Sequence, residues 1–422
     1  MGPVFMHIAS ILVSINDFIY AFSLFYLELS TKVIKFADMK KIVYIIGGLY
    51  QPSGMGQVMS CKVNYLAEHT DWQMYVVLTE RPDLPFFYKL APNVQYINFD
   101  INYDELDTMP LLKKMFSYRK KQFDYKKKLT SYLMDVKADI TVSAVRREIN
   151  FINDIPDGSK KIGEIHFEKQ FYRNFRKSYF PCFINRWITN KWQGALIKQI
   201  SRLEKFVILT EEDAKSWNML TNKVVIPNPL IKFPNVHANP NSKKVISVGR
   251  YDPVKGFDML IDAWAMVAKI HPEWTLKIVG PGDRKQYKEQ VLRLGLENKV
   301  SCLGVSDRVY EEMAEASLYV LSSRSEGFGL VLIEAMAVGL PCVAFSCSPG
   351  PRSIVSHNRN GMLVEKNNIT KMSEAICYMI DHDKDREIFS KQAMSDSKRF
   401  HLANIMNEWI ILFENLINNK TV

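Results

Sequence analysis

The chain has 422 residues, 47% of them hydrophobic, with 55 lysines and arginines against 45 aspartates and glutamates, a net charge of +10. That length exceeds one ordinary domain and suits two of roughly 150–200 residues each, and the hydrophobic share supports a large core in both. The basic balance fits an anionic partner, whether nucleic acid, a membrane surface or a phosphorylated substrate, or else a merely soluble basic surface.

Residues 1–38 contain a strongly apolar and aromatic run, Ile8 to Leu29, interrupted by Asn16, Asp17 and Glu28. No basic segment precedes it and no small-residue cleavage site ends it, so a secretory signal fits poorly. The acids inside it weigh against a membrane span. It reads as an upstream extension from an early start codon or as an amphipathic leader, and Met39 looks like the natural start of an α/β domain. Lys41–Ile46 is the first buried strand. The loop Gly47–Gly56 follows, then a helix over Gln57–Glu68. Gly54-x-Gly56 invites a dinucleotide-binding reading, but Met59 occupies the third glycine position and the loop is too long for the tight turn.

Strands follow at Trp72–Thr79 and Val94–Phe99. A long helix, Leu111–Met134, carries three short basic runs that read as a solvated face, and Ile140–Ser143 is the next strand. Lys161–Ile165 is a short strand with His166 at its end; a polar loop histidine is the plain reading of that residue. The segment Phe171–Trp192 mixes aromatics with Arg173, Arg176, Lys177, Arg186 and Lys191. Such a mixture anchors at lipid headgroups and attracts anionic lipid, or it makes an ordinary helix pair with exposed arginines. Lys205–Thr210 is a strand, and Thr210 is placed to cap the helix that follows, with Asp213 in the capping-box position. Val224–Ile226 ends this half, and Ile231–Ser242 is the linker.

The second half opens on strand Val245–Val248 and the loop Gly249-Arg250-Tyr251-Asp252-Pro253-Val254-Lys255-Gly256. Arg250 and Lys255 follow a strand end, where an arginine can clamp two phosphate oxygens and a lysine acts as a point charge. The helix after them has Phe257, Leu260, Ile261, Trp264 and Val267 on one stripe at helical spacing, which is core. Strands Thr275–Val279 and Lys299–Leu303 and a short helix, Glu311–Ala316, lead to an apolar strand at Leu318–Ser323. Then comes Ser325-Glu326-Gly327-Phe328-Gly329-Leu330-Val331-Leu332-Ile333-Glu334-Ala335-Met336-Ala337, a glycine turn running into a helix that stops at Gly339. Glu326 lies in the turn. Glu334 lies early in the helix, where the dipole favours a carboxylate, and a dipole or capping role is the plain reading of it. A strand–glycine turn–helix corner also presents free backbone N–H groups to an anionic ligand. Strand Pro341–Phe345 follows, Ser348–Arg352 reads as a loop, and Met394–Leu416 reads as a helix with Trp409, Ile410, Phe413 and Leu416 on one face. The six cysteines form no C-x-x-C pair or His/Cys cluster, which argues against zinc; most read as small buried hydrophobes. Strands alternating with helices imply a parallel sheet in each half.

The string E-G-F-G-L-V-L-I-E-A-M-A-V-G-L-P resembles the E-x7-E signature of the retaining glycosyltransferases of family four. The spacing G-R-x-x-x-x-K-G around Arg250 and Lys255, and the run L-T-E-E-D…V-I-P-N-P-L at the junction of the halves, resemble the same family. The likeness covers Met39 to Leu416 and is strongest from Lys244 to Glu365. It implies the GT-B fold, two Rossmann-like doubly wound parallel-sheet α/β domains facing a cleft. The divisions would be the extension at 1–38, an acceptor-side domain at 39–235, a nucleotide-sugar domain at 236–393, and a helix at 394–422 returning to the first domain.

The resemblance implies sugar transfer from a nucleotide sugar, a UDP-sugar by the habit of the family, to a saccharide or lipid-linked saccharide acceptor in cell-surface polysaccharide synthesis. By the same resemblance Arg250, Lys255 and backbone N–H groups near Gly54 and around Gly327, Phe328, Gly329 and Leu330 meet the diphosphate. Glu334 takes the ribose hydroxyls, while Glu326 and His166 take the donor sugar. No metal or other cofactor is implied. The enzyme would work in the cytoplasm at the inner face of the membrane, with peripheral contact through 171–192. Nucleic acid is not implied, since diphosphate or acidic lipid accounts for the charge as well. A sugar-nucleotide epimerase of the same fold and a non-catalytic nucleotide-sugar-binding scaffold are the competing readings.

Overall fold

The structure is a computed structural model, and it describes residues 39–167, 169 and 182–418. The extension at 1–38 and the part of the aromatic–basic segment at 171–181 lie outside the described residues.

The first half runs β1 (Lys41–Ile45), α1 (Gly54–His69), β2 (Gln73–Leu78), β3 (Gln95–Asn98) and α2 (Leu111–Val136). It continues through β4 (Ile140–Ser143), β5 (Lys160–Glu164), α3 (Cys182–Ile200), β6 (Lys205–Ile208), α4 (Glu211–Ser216) and β7 (Lys223–Val225). These seven strands form one parallel sheet in the order β3-β2-β1-β4-β5-β6-β7. The second half runs β8 (Lys244–Val248), α5 (Phe257–Ile270), β9 (Thr275–Val279), α6 (Lys285–Arg293), β10 (Val300–Leu303), α7 (Val309–Ala314) and β11 (Leu318–Leu321). After it come α8 (Leu330–Val338), β12 (Cys342–Phe345), α9 (Pro349–Ile354), β13 (Gly361–Val364), α10 (Ile369–Asp381), α11 (Asp383–Ser397) and α12 (Leu402–Ile417). Its six strands form a second parallel sheet, β10-β9-β8-β11-β12-β13.

The central strands are buried on both faces because helices cover both, as a parallel sheet requires; β4 and β11 are buried along their whole length. Phe257, Leu260, Ile261, Trp264 and Val267 are all buried on α5, as their spacing predicts. The Thr210 hydroxyl accepts the N–H of Asp213 at 3.1 Å and caps α4.

Three elements differ from the sequence reading. α1 starts at Gly54 rather than Gln57, because Ser53 caps it by accepting the Gly56 N–H at 3.0 Å. Ser348–Arg352 is not a loop: Ser348 is extended and Pro349 opens the short helix α9, a position where proline's missing N–H has no bond to lose. The tail is not one helix from Met394. α11 ends at Ser397, a tight turn spans Lys398–Phe400, and His401 breaks out to pair with Leu230, whose N–H reaches the Phe400 carbonyl at 2.7 Å. Beyond that break α12 buries Trp409, Phe413 and Leu416 in the same core as Tyr44, Met59 and Val63 of the first half. The sequence reading also missed strand β13 and helices α6 and α10, although α10 buries Met372, Ala375, Ile376, Met379 and Ile380 at helical spacing, and α6 buries Tyr287 and Val291. Among the described residues no helix is long and apolar enough to cross a membrane.

Candidate active site

In an open parallel sheet a crevice forms outside the carboxyl ends of the strands, where neighbouring connections leave in opposite directions. The strand orders put that point between β1 and β4 in one sheet and between β8 and β11 in the other. The loop before Gly54 follows β1, the loop of Arg250 and Lys255 follows β8, and the turn of Glu326 follows β11. The topology therefore converges the last two segments in the second sheet, and packing of the two halves brings the Gly54 loop against them.

Lys255 and Glu326 meet as an ion pair, Nζ to Oε1 at 2.7 Å, with 22% and 11% of their side chains exposed. Their loops are clasped together. The Ser322 hydroxyl donates to the Lys255 carbonyl at 2.9 Å, and the Arg324 N–H to the Val254 carbonyl at 2.7 Å. Arg324 grips Asp258 through both guanidinium nitrogens at 2.8 and 2.6 Å. The Ser323 hydroxyl also donates to Glu326 Oε1 at 2.5 Å, and the Glu326 N–H donates to the Ser348 hydroxyl at 3.2 Å. Glu326 is thus held by a cation, a hydroxyl and its own backbone. Arg250 is exposed at the end of β8, and no side-chain partner accompanies it among the described residues.

The turn of Glu326 sits against the other half of the chain. A Cβ on Gly327 would stand 2.1 Å from the His166 carbonyl oxygen, so only glycine allows this approach. His166 lies just beyond β5 with a buried side chain, and its Nε2 is 3.2 Å from Glu164 Oε1. Gly329 adopts φ +99° and turns the chain into α8, a conformation that glycine supplies without strain.

Glu334 is the fifth residue of α8, whose first turn holds no acid. The dipole reading therefore fails for it, because that effect fades within the first turn. Its carboxylate is partly exposed and has no hydrogen-bond partner among the described residues, and burial of its surroundings pushes it up to about 7. Tyr88, Tyr310 and Tyr319 are close enough to feel its charge. Tyr88 also accepts the Ser53 N–H at 3.0 Å, so one tyrosine ties the start of α1 to the neighbourhood of Glu334. A Cβ on Gly54 would lie 3.2 Å from Leu330 Cδ1, which brings the starts of α1 and α8 face to face. Phe328 is a different case from its neighbours. Its ring is buried against Phe400, 5.8 Å between centroids, and only its backbone remains to meet a ligand.

The sequence reading missed Ser323, Ser348 and Tyr88, small or loop residues that carry no periodic signal. It also missed Arg352, whose guanidinium bonds both carboxylate oxygens of Glu212 at 2.9 and 2.5 Å and joins α9 to α4 across the two halves. Among the described residues no group of three or more His, Cys, Asp or Glu is placed to hold a metal ion. Of the segment expected to touch membrane, the described part is helical, with Trp187 and Trp192 exposed on α3.

Residues 231–396, the stretch that holds Lys255, Glu326 and Glu334, match the family of glycosyl transferases group 1. This part of the chain belongs to the group 1 glycosyltransferases. An uncharacterized glycosyltransferase of Haemophilus influenzae is 36% identical over 215 residues, which cover 50% of this chain and 61% of that protein. Poly(glycerol-phosphate) alpha-glucosyltransferase of Bacillus subtilis is 27% identical over 257 residues, 57% of this chain and 38% of that one. The matches therefore span less than two thirds of these relatives' own length. Among solved structures, sucrose-phosphate synthase from Thermosynechococcus elongatus superposes with a TM-score of 0.74 at 16% identity, covering 90% of this chain and all of that one. Anabaena HepE in complex with UDP-glucose gives 0.65 at 18% identity over 89% of this chain and 99% of its own. The two halves together accordingly have the GT-B fold.

Proposed function

We propose that the protein is a retaining glycosyltransferase that moves a sugar from a UDP-sugar to a saccharide or lipid-linked saccharide acceptor in the synthesis of a cell-surface polymer. The observation that carries this reading is the Lys255–Glu326 pair, held at 2.7 Å at the sheet's switch point, with the unpartnered Glu334 carboxylate on the adjoining helix. In this reading Lys255 and Arg250 take the donor diphosphate, together with the N–H groups at the starts of α1 and α8. An ionised carboxylate only accepts hydrogen bonds, so Glu334 suits the two ribose hydroxyls and Glu326 those of the transferred sugar. His166 faces the same sugar from the first domain.

In the reaction the bond between the anomeric carbon and the diphosphate oxygen breaks. The acceptor hydroxyl oxygen bonds the same face of that carbon, and its proton passes to the departing diphosphate. Negative charge grows on the leaving group, where fixed cations and helix N-termini act most strongly. No side chain serves as nucleophile. The polymer reading is supported by what relatives are named for: the Bacillus subtilis enzyme above, and the amylovoran biosynthesis glycosyltransferase AmsD of Erwinia amylovora. A lipid-linked acceptor would bring the enzyme to the inner face of the cytoplasmic membrane, and the exposed Trp187 and Trp192 suit an interfacial contact there.

The test is a thermal-melt series with UDP, GDP, ADP and NAD. Ligand at about a hundred times its Kd adds roughly 2.7 kcal/mol to the folded state. Stabilisation by UDP, followed by UDP release from a UDP-sugar on adding acceptor saccharides, is the expected result. No stabilisation by any nucleotide would overturn the reading.

A further inference from the structure

Beneath the site lies a buried ion pair that the proposed chemistry does not use. Lys62, on α1, is fully buried, and its Nζ donates to Glu164 Oε2 at 2.5 Å with 1% of each side chain exposed. The ring of Trp409, from α12, covers the same ammonium at 3.4 Å from its centroid, and Tyr44 of β1 lies at 5.9 Å. The other oxygen of Glu164 faces His166 Nε2 at 3.2 Å, outside full hydrogen-bond geometry. Nε2 is sealed from solvent, and Nδ1 has no hydrogen bond among the described residues.

Such a pair is an expensive way to fill a core. Apolar side chains of similar volume usually stabilise as well or better, because two desolvated charges recover their hydration poorly. The pair also sits where its geometry reaches the site. Glu164 ends β5, His166 follows two residues later, and the His166 carbonyl touches the glycine turn that carries Glu326. Lys62 belongs to the helix whose first turn faces Leu330.

We propose that Glu164 is a positioning residue for His166, with Lys62 fixing Glu164 in turn. One carboxylate oxygen is held by Lys62, so the other is fixed in space. It draws the proton of the imidazole to Nε2 and leaves Nδ1 as the acceptor turned to a sugar hydroxyl. A second group that orients a histidine through its far nitrogen is a general device, because the tautomer is set by the bond the other nitrogen makes. The His166 role rests on the function proposed above, so the test carries one readout that does not depend on turnover.

Lys62→Met/Glu164→Leu replaces the pair with apolar side chains of similar volume. We expect it to melt no lower than wild type and to bind UDP unchanged. Its kcat should fall by about 10- to 100-fold, the scale of a reacting group displaced by a fraction of an ångström to an ångström. Lys62→Met/Glu164→Gln keeps an acceptor oxygen beside the ring and should hold most of the rate. In 15N spectra of histidine-labelled protein, with the His166 signal assigned by its loss in His166→Gln, wild type should show the Nε2–H tautomer and the leucine pair a mixture. Should the leucine pair fail to fold, Glu164→Asp, which withdraws the carboxylate by one methylene, must show the same loss of tautomer. Unchanged imidazole signals in whichever variant folds would overturn the inference, as would a glutamine pair that loses as much rate as the leucine pair. Wild type that turns over no UDP-sugar would instead remove the proposed function, and the histidine spectra would still decide this one.

Discussion

Glu334 opposes the fold and, in the proposed function, serves the ligand, and Glu334→Gln separates the two effects. Burial lifts its carboxyl from 4.5 to about 7. Between those values the folded protein holds a proton that the unfolded chain has already lost. Stability therefore falls as pH rises through this window, and the whole cost is present above about pH 7. At about 1.4 kcal/mol per unit the ceiling is about 3 kcal/mol, and the solvent-open part of the side chain reduces it to about 1–2 kcal/mol. Glutamine keeps the shape and removes the charge. The variant should melt above wild type at about pH 8, by roughly 2–8 °C for a domain of this size, and level with it at about pH 5. Toward UDP the order reverses. Losing charged hydrogen bonds to the ribose costs about 1.5–3 kcal/mol, roughly 10- to 150-fold in Kd. Calorimetric melts at the two pH values and titration calorimetry with UDP read both effects. Equal melting differences at the two pH values would refute the burial argument, and wild-type affinity would remove Glu334 from the ribose site.

Lys255→Ala should cut kcat far more than it weakens UDP binding, since the charge it meets grows in the transition state; normal turnover would take Lys255 out of the site. Glu326→Gln should also slow turnover yet tighten UDP, because it frees Lys255 from its 2.7 Å partner, and a weaker UDP complex in that variant would contradict the pairing. Gly327→Ala sets a methyl 2.1 Å from the His166 carbonyl. It should lower turnover by at least about tenfold through displacement of the turn, with wild-type kinetics counting against the contact. Trp409→Ala empties a fully enclosed site under α12 and should cost about 3–5 kcal/mol in denaturant unfolding; a cost below about 1 kcal/mol would mean that α12 holds little of the first domain.

How much of this was legible in the sequence depended on whether a residue's signal was local. The central strands of both sheets are short buried runs such as Val245–Val248, and the stripe through Phe257 and Trp264 has a helical period, so these announced themselves, whereas β13, at a sheet edge and only half-buried, did not. The corner at Glu326 was readable because glycines and acids at fixed spacing are themselves a local pattern. What escaped depends on contacts between distant segments. The 2.7 Å Lys255–Glu326 pair joins residues 71 apart in sequence, and Arg352 reaches Glu212 across 140. Lys62 offered one clue that was not taken up: it occupies the apolar stripe of α1 with Met59, Val63 and Leu66, where a solvated lysine has no place. Glu334 shows the opposite failure. Its position suggested the helix dipole, and only the actual start of α8 at Leu330 showed that the dipole does not reach it.

In the proposed function, the arrangement of charge explains how such a site can stay folded and still bind a diphosphate. Lys255 and Glu326 satisfy each other, so neither imposes the cost of an uncompensated charge in a half-buried cleft. A diphosphate offers Lys255 a partner of higher charge, and sugar hydroxyls offer Glu326 the donors it loses when Lys255 turns away. The exchange is therefore fully compensated only when both replacements arrive together, on one molecule, in the right register. A free phosphate supplies the first partner without the second, and a neutral sugar the second without the first. Selectivity for a sugar joined to a diphosphate then follows from the pairing itself, before any contact with the base is counted. Glu334 lies outside that exchange. It has no protein partner to give up, so its contribution reports the nucleoside alone, which is why its variant should weaken UDP while the Glu326 variant strengthens it.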